Sequence, residues 1–142
     1  MIELVLDGSI TLSWFLPGEH KDNNQAVRKL IEGGARASVP CIWALEVANA
    51  LLVAERRKRI SQGDSAAAWA ALQKLPIETD AETGERAGSD ILALARQQHL
   101  SAYDAAYLEL AMRWGVPLAS LDEVLRAAAR ALKVPMLPEI GV

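Results

Sequence analysis

The chain has 142 residues, 51% apolar and 23% charged, with 15 Lys and Arg against 18 Asp and Glu for a formal charge of −3. That profile fits one globular domain spanning 1–142 and excludes a disordered chain. No run approaches the roughly 18 uninterrupted apolar residues of a membrane span, and no basic leader precedes an apolar run, so a cytoplasmic protein is expected.

The opening run Ile2 to Leu6 reads as a strand ending at Asp7, followed by a short helix from Ile10 to Leu16 that Pro17-Gly18 stops. A helical pattern from about His20 to Ile31 ends at Gly33-Gly34, and Ala35 to Val39 suit a short strand before Pro40. The stretch from Ile42 to Arg59 gives the longest predicted helix. Ser61 to Gln73 follow as another, with Ser61 as N-cap and Asp64 three residues on. Pro76 to Thr79 suit a strand, and helical patterns cover Ala81 to His99 and Ser101 to Trp114. After Gly115-Val116-Pro117, Leu118 to Leu121 read as a buried strand, Asp122 to Lys133 as a helix and Val134 to Leu137 as a last strand. Short apolar strands alternating with helices predict an α/β fold on a mainly parallel sheet.

Cys41 has no cysteine to pair with and is expected to be a small buried hydrophobe. With His20 and His99 it leaves too few ligands for a zinc site. Two basic groups, Arg56-Arg57-Lys58-Arg59 and Arg126, Arg130 and Lys133, read as solvated helix ends. Charge therefore neither supports nor excludes a nucleic-acid partner.

Four acids stand beside apolar sequence. In I-W-A-L-E-V-A-N-A-L-L-V-A, from Ile42 to Ala54, only Glu46 and Asn49 are polar, and they share a helix face. A helix apolar nearly all round is expected to be buried, and an ionised Glu46 there needs a metal or a basic partner. Asp104 shares its face with Tyr107, Leu108 and Ala111, yet Ser101-x-x-Asp104 is also a capping box, and taken alone the cap explains it. Glu109 and Arg113 are expected to form an outward ion pair. Asp7 and Asp122 follow apolar strands, at the sheet end where ligands bind in parallel α/β folds. A turn and an N-cap would account for them singly. Together the four acids could converge on one crevice, where crowded carboxylates call for a divalent cation. All-oxygen donors suit Mg²⁺ or Mn²⁺ and phosphoryl-transfer chemistry.

The series V-L-D7-G-S9, V-P-x-x-W-x-x-E46-V-A-N49-A-L, S-A-Y-D104-A-A-Y-L-E-L-A and L-A-S120-L-D122 resembles the PIN domain of VapC-type toxins over essentially the whole chain. The resemblance implies a three-layer α/β/α sandwich and a metal-dependent endoribonuclease, the toxin of a type II toxin–antitoxin pair. It implies that Asp7, Glu46, Asp104 and Asp122 form an acidic quartet holding Mg²⁺ or Mn²⁺. Ser9 matches the hydroxyl residue after the first Asp, and Ser120, where Thr is more usual, is expected to support Asp122. Asn49 is read as a group orienting Glu46. The implied partners are an RNA substrate, a second copy of the chain and an antitoxin whose tail fills the acidic groove and presents an Arg to it. Trp14 and Trp43 read as core or rim packing, and Trp69 and Trp114 as packing.

Four other readings compete. A phosphatase using Asp7 as nucleophile wants a second Asp where Ser9 stands, and a receiver-like domain wants paired acids early. Neither accounts for Glu46 or Asp104. A housekeeping RNA-processing nuclease and a non-catalytic PIN-like interaction module remain as alternatives.

Overall fold

The computed structural model describes residues 1–19 and 21–139. Five short strands form one sheet: β1 (Leu4–Leu6), β2 (Ala37–Val39), β3 (Ile77–Thr79), β4 (Leu118–Ala119) and β5 (Met136–Leu137). Their order is β3-β2-β1-β4-β5, and every pairing is parallel. Parallel strands within such a sheet are covered on both faces, which is why β1, β2 and β4 are wholly buried, with Ser38 of β2 their one polar side chain. The sheet carries helices as a three-layer α/β/α sandwich, as predicted, and it is wholly rather than mainly parallel among the described residues.

The helices are α1 (Gly8–Ser13), α2 (Asp22–Glu32), α3 (Trp43–Arg56), α4 (Gln62–Gln73), α5 (Thr83–Arg86), α6 (Leu92–Gln98), α7 (Ala102–Trp114) and α8 (Glu123–Ala131). The predicted beginning of α2 at His20 lies outside the described residues. None of the described helices is long and apolar enough to cross a membrane. One helix predicted over 81–99 is instead α5 and α6 joined by a π-helical turn at Ala87–Ile91. Helix α7 lies against β1, β2 and β4 and against α8, whereas α1 packs on α3 and α3 on α4.

Chain order runs outward from β1 through β2 to β3 on one side, then restarts at β4 and continues to β5 on the other. The switch point therefore lies between β1 and β4, where an open parallel sheet leaves a crevice beyond its carboxyl ends. Leu6 pairs with Ala119, so Asp7 and Ser120 emerge side by side at that crevice.

Three expectations are corrected. Helix α3 buries Trp43, Val47, Leu51 and Ala54 but turns Leu45, Ala48 and Leu52 to solvent, so it is apolar without being enclosed. Cys41 is exposed because it lies in the turn between Pro40 and α3. The Glu109–Arg113 pair faces inward, with Glu109 only 6% exposed. Arg113 there clamps Asp80 through bonds of 2.9 and 3.0 Å while also binding Glu109.

Candidate active site

Asp7 is placed by the end of β1: its N–H donates to Ala119 O at 2.9 Å, and the carboxyl is buried. Two hydroxyls hold Asp7 Oδ2, Ser120 at 2.6 Å from the end of β4 and Ser9 at 2.8 Å from α1. Ser9 also accepts from Leu121 N at 3.0 Å, and Ser120 accepts from Asp122 N at 3.1 Å. These bonds tie the two strand ends into one unit. Ser120 thus supports Asp122 through its backbone while its hydroxyl proton goes to Asp7.

Asp122 caps α8, its Oδ1 accepting from Val124 N at 2.9 Å and Leu125 N at 3.1 Å. The cap expected from sequence is real, and it fixes the carboxylate's orientation beside Asp7. At α7 the Ser-x-x-Asp pattern behaves differently from its copy at α4. Ser61 and Asp64 exchange both bonds of a capping box. At α7 only Asp104 N donates to Ser101 Oγ, at 3.0 Å, and the Asp104 side chain makes no return bond. That carboxylate interacts electrostatically with Asp122 and Asp7, while a side-chain hydrogen bond with Ser101 partly offsets them.

Glu46 sits in the first turn of α3 and accepts a hydrogen bond from the Tyr107 hydroxyl of α7. The beginning of α3 is anchored to the Asp7 loop by a buried relay. Trp43 Nε1 donates to Thr11 Oγ1 at 3.2 Å, and Thr11 donates to the Asp7 carbonyl at 3.0 Å. Trp14 is likewise core, its Nε1 satisfied by Asn24 O at 2.9 Å.

The electrostatics follow from crowding without a counter-charge. Burial pushes the Asp7 carboxyl above its ordinary range, opposed by the bonds from Ser120, Ser9 and the Gly8 backbone and reinforced by Asp122. Glu46 is an exposed residue of α3, contrary to expectation, yet partial desolvation of its carboxyl and the charges of Asp7 and Asp104 raise it, against the Tyr107 bond. Asp104 is raised by burial and then by Asp122 and Asp7, against the Ser101 bond. Tyr107 is pushed up strongly, first by burial and then by its acceptor Glu46, so it remains a hydrogen-bond donor at any ordinary pH. Among the described residues none of the four acids forms an ion pair with Lys, Arg or His.

The structure brings Asp7, Ser9, Ser120 and Asp122 together by direct bonds, and adds Glu46 and Asp104 by charge. Asn49 is exposed and makes no hydrogen bond to Glu46; Tyr107 makes that contact. Tyr107 was legible in principle, since it lies three residues after Asp104 on one helical stripe. Arg126, read from sequence as part of a solvated basic end, is only 4% exposed. Its guanidinium donates to Ser120 O at 2.7 Å and Pro138 O at 3.0 Å, bracing the β4 end of the crevice. Nothing in its one-dimensional context distinguishes it from Arg130.

Among the described residues no three His, Cys, Asp or Glu side chains are placed to hold a single ion directly. The acids form a neighbourhood, not a closed coordination sphere. Their chemistry nevertheless fits Mg²⁺ or Mn²⁺: donors are all oxygen, and Mg²⁺ takes one or two carboxylates directly while keeping several waters.

Known proteins resemble the chain in sequence and fold. The sequence matches the PIN domain over residues 4–131. It is 29% identical over 138 residues to Ribonuclease VapC3 of Pyrobaculum aerophilum, covering 94% of this chain and 100% of that one. Among solved structures, PAE2754 from Pyrobaculum aerophilum superposes with a TM-score of 0.63 at 24% identity, covering 89% of this chain and 86% of the other. VapBC2 from Rickettsia felis, solved bound to a DNA fragment from their promoter, gives 0.65 at 15% identity, with 96% and 97% covered. FitAcB from Neisseria gonorrhoeae gives 0.62 at 14%, with 94% and 96% covered. At these identities the solved structures speak for the fold alone. The family match over nearly the whole chain goes further: this chain belongs to the PIN-domain family.

Proposed function

We propose that the chain is a metal-dependent endoribonuclease and the toxin of a type II toxin–antitoxin pair. The observation that carries this reading is three carboxyls, Asp7, Glu46 and Asp104, all raised by burial and by mutual or neighbouring negative charge, at the switch point of a parallel sheet without a basic partner. A folded protein tolerates such an uncompensated cluster where a cation completes it. The 29% identity with Ribonuclease VapC3 supports RNA as substrate.

Asp7, Glu46, Asp104 and Asp122 would hold Mg²⁺ or Mn²⁺, directly or through its waters. When bound, the ion supplies charge for the scissile phosphate and lowers the pKa of a water. The protein's own contribution is orientation. Ser9 and Ser120 fix the Asp7 carboxylate, Tyr107 fixes Glu46, and the α8 cap fixes Asp122. Carboxylates held in this way can accept hydrogen bonds from the attacking water while the 3′ oxygen departs in line.

An antitoxin tail carrying an Arg would compensate the same acids when the metal is absent. The outward apolar side of α3, with Leu45, Ala48 and Leu52, supports a protein partner there, either the antitoxin or a second copy.

The test is incubation of the purified chain with end-labelled RNA in Mg²⁺ or Mn²⁺, beside EDTA and Asp104→Asn controls. Discrete bands lost in both controls are expected. Cleavage persisting in both would remove the assignment of the site.

A further inference from the structure

The acids explain how a phosphate is handled once a cation is present, but not what grips the rest of an RNA strand. The crevice itself is anionic, and two largely buried guanidiniums, one on α8 and one on α7, are committed. Arg126 is spent on the carbonyls of Ser120 and Pro138, and Arg113 on Asp80 and Glu109. These two arginines therefore contribute no grip on the strand beyond the phosphate.

The surroundings of the acids offer one alternative. Of the nine large apolar side chains exposed among the described residues, three stand within two residues of a site acid. Leu45 precedes Glu46, Tyr103 precedes Asp104 and Val124 follows Asp122. Tyr103 is the aromatic one, 64% exposed, and it makes no hydrogen bond or ring contact with any described residue.

Its direction follows from helix geometry. Tyr103 and Tyr107 are four apart and share one stripe of α7. Tyr107 reaches across to Glu46 on α3, so that stripe looks into the gap between the two helices. Side chains on a helix lean toward its N-terminus, which places the Tyr103 ring one turn nearer the mouth than Tyr107. A free aromatic face beside an anionic phosphate site is the arrangement by which proteins hold single-stranded nucleic acid: every base has a π face, and stacking is indifferent to the charge repelling its backbone.

We propose that Tyr103 is a substrate-binding platform on which one base flanking the scissile phosphate stacks. The inference rests on the ribonuclease reading above. It assigns to the ring a grip on substrate that the acids cannot provide.

The experiment is steady-state cleavage of a labelled single-stranded oligoribonucleotide in Mn²⁺ by the wild-type chain and by Tyr103→Ala, Tyr103→Phe and Tyr103→Trp. Trp114→Ala, an exposed aromatic at the far end of α7, is the control. Tyr103→Ala is expected to raise KM roughly 5- to 100-fold with kcat little changed, while Phe and Trp keep KM near wild type. The same series is run on oligonucleotides carrying a single abasic nucleotide, moved along the strand. At one position the abasic penalty and the Tyr103→Ala penalty should fail to add, because each removes half of one contact.

An unchanged KM in Tyr103→Ala overturns the platform while leaving the ribonuclease intact. Additivity at every abasic position does the same. If KM is unchanged but the variant alters the mass of the chain in solution, Tyr103 belongs to an interface between copies and the proposal fails. A wild-type chain inert toward RNA in Mn²⁺ sinks both readings together.

Discussion

At the scale of single residues, the crevice stores an electrostatic cost that the fold carries in advance of any cation. Asp7 is the clearest case, because burial raises its carboxyl despite two hydroxyl donors. A carboxyl raised in the folded state contributes stability that is complete below its ordinary range and lost as pH rises through the folded value. Asp7→Asn should therefore raise the metal-free melting temperature near neutral pH by roughly 3–5 °C, about 1 kcal/mol, with the advantage disappearing in acid. Scanning calorimetry at two pH values checks this, and the same variant should be inactive and should lose any Mn²⁺-dependent stabilisation. Tyr107 works in the other direction. Its bond lowers the Glu46 carboxyl, so Tyr107→Phe should push Glu46 further up and move the acid limb of the pH–activity profile to higher pH. An unshifted limb would mean that Glu46 does not titrate in the rate-determining complex.

At the scale of elements, Arg113 of α7 reaches Asp80, just past β3, and Glu109 of its own helix, with Thr83 adding a bond to Asp80 at 2.8 Å. Burial alone would raise Asp80, but the bonds from Arg113 and Thr83 outweigh it and hold that carboxyl below its ordinary range. Arg113→Ala strands two buried carboxylates and should cost about 3–5 kcal/mol in urea unfolding. Arg113→Lys should recover only part, since a point charge cannot bind both acids in the same planar geometry. This contribution has the opposite pH sign to the crevice: it is present above the ordinary Asp range and lost as pH falls through the depressed value. Elements whose signal is local were legible in sequence. The apolar runs of β1, β2 and β4 and the capped starts of α4 and α7 needed only periodicity and caps. The break within 81–99 was not, because Ala87, Gly88 and Ser89 keep a helical pattern and the π turn shows only in backbone geometry. Nor was the clamp, since the Asp80–Arg113 contact spans 33 residues. The acids at the site were legible because carboxylates are conspicuous in apolar sequence, whereas Tyr107 and Arg126 act through contacts that no spacing rule singles out. Glu46 was singled out as a candidate by an argument that the structure corrects in part, since α3 is not enclosed and its partner is a tyrosine hydroxyl.

For the whole molecule, a formal charge of −3 and an anionic crevice set the conditions under which a polyanion can approach. RNA retention in a filter-binding assay should be weak in EDTA at low ionic strength and rise on adding Ca²⁺ or Mn²⁺. Retention equally strong in EDTA would locate binding away from the acids. The sheet order adds a constraint in time. β1 is made first and pairs with β4, and the bond from Ser120 to Asp7 closes a separation of 113 residues. Such non-local pairing makes folding slow and late relative to synthesis. A chain still on the ribosome with β4 unmade holds Asp7 but neither of the groups, Ser120 and Asp122, that come to it from the far side of the switch point. The assembled crevice is thereby confined to nearly finished chains, and a prematurely terminated product carries the first carboxylate of the candidate site with no crevice around it.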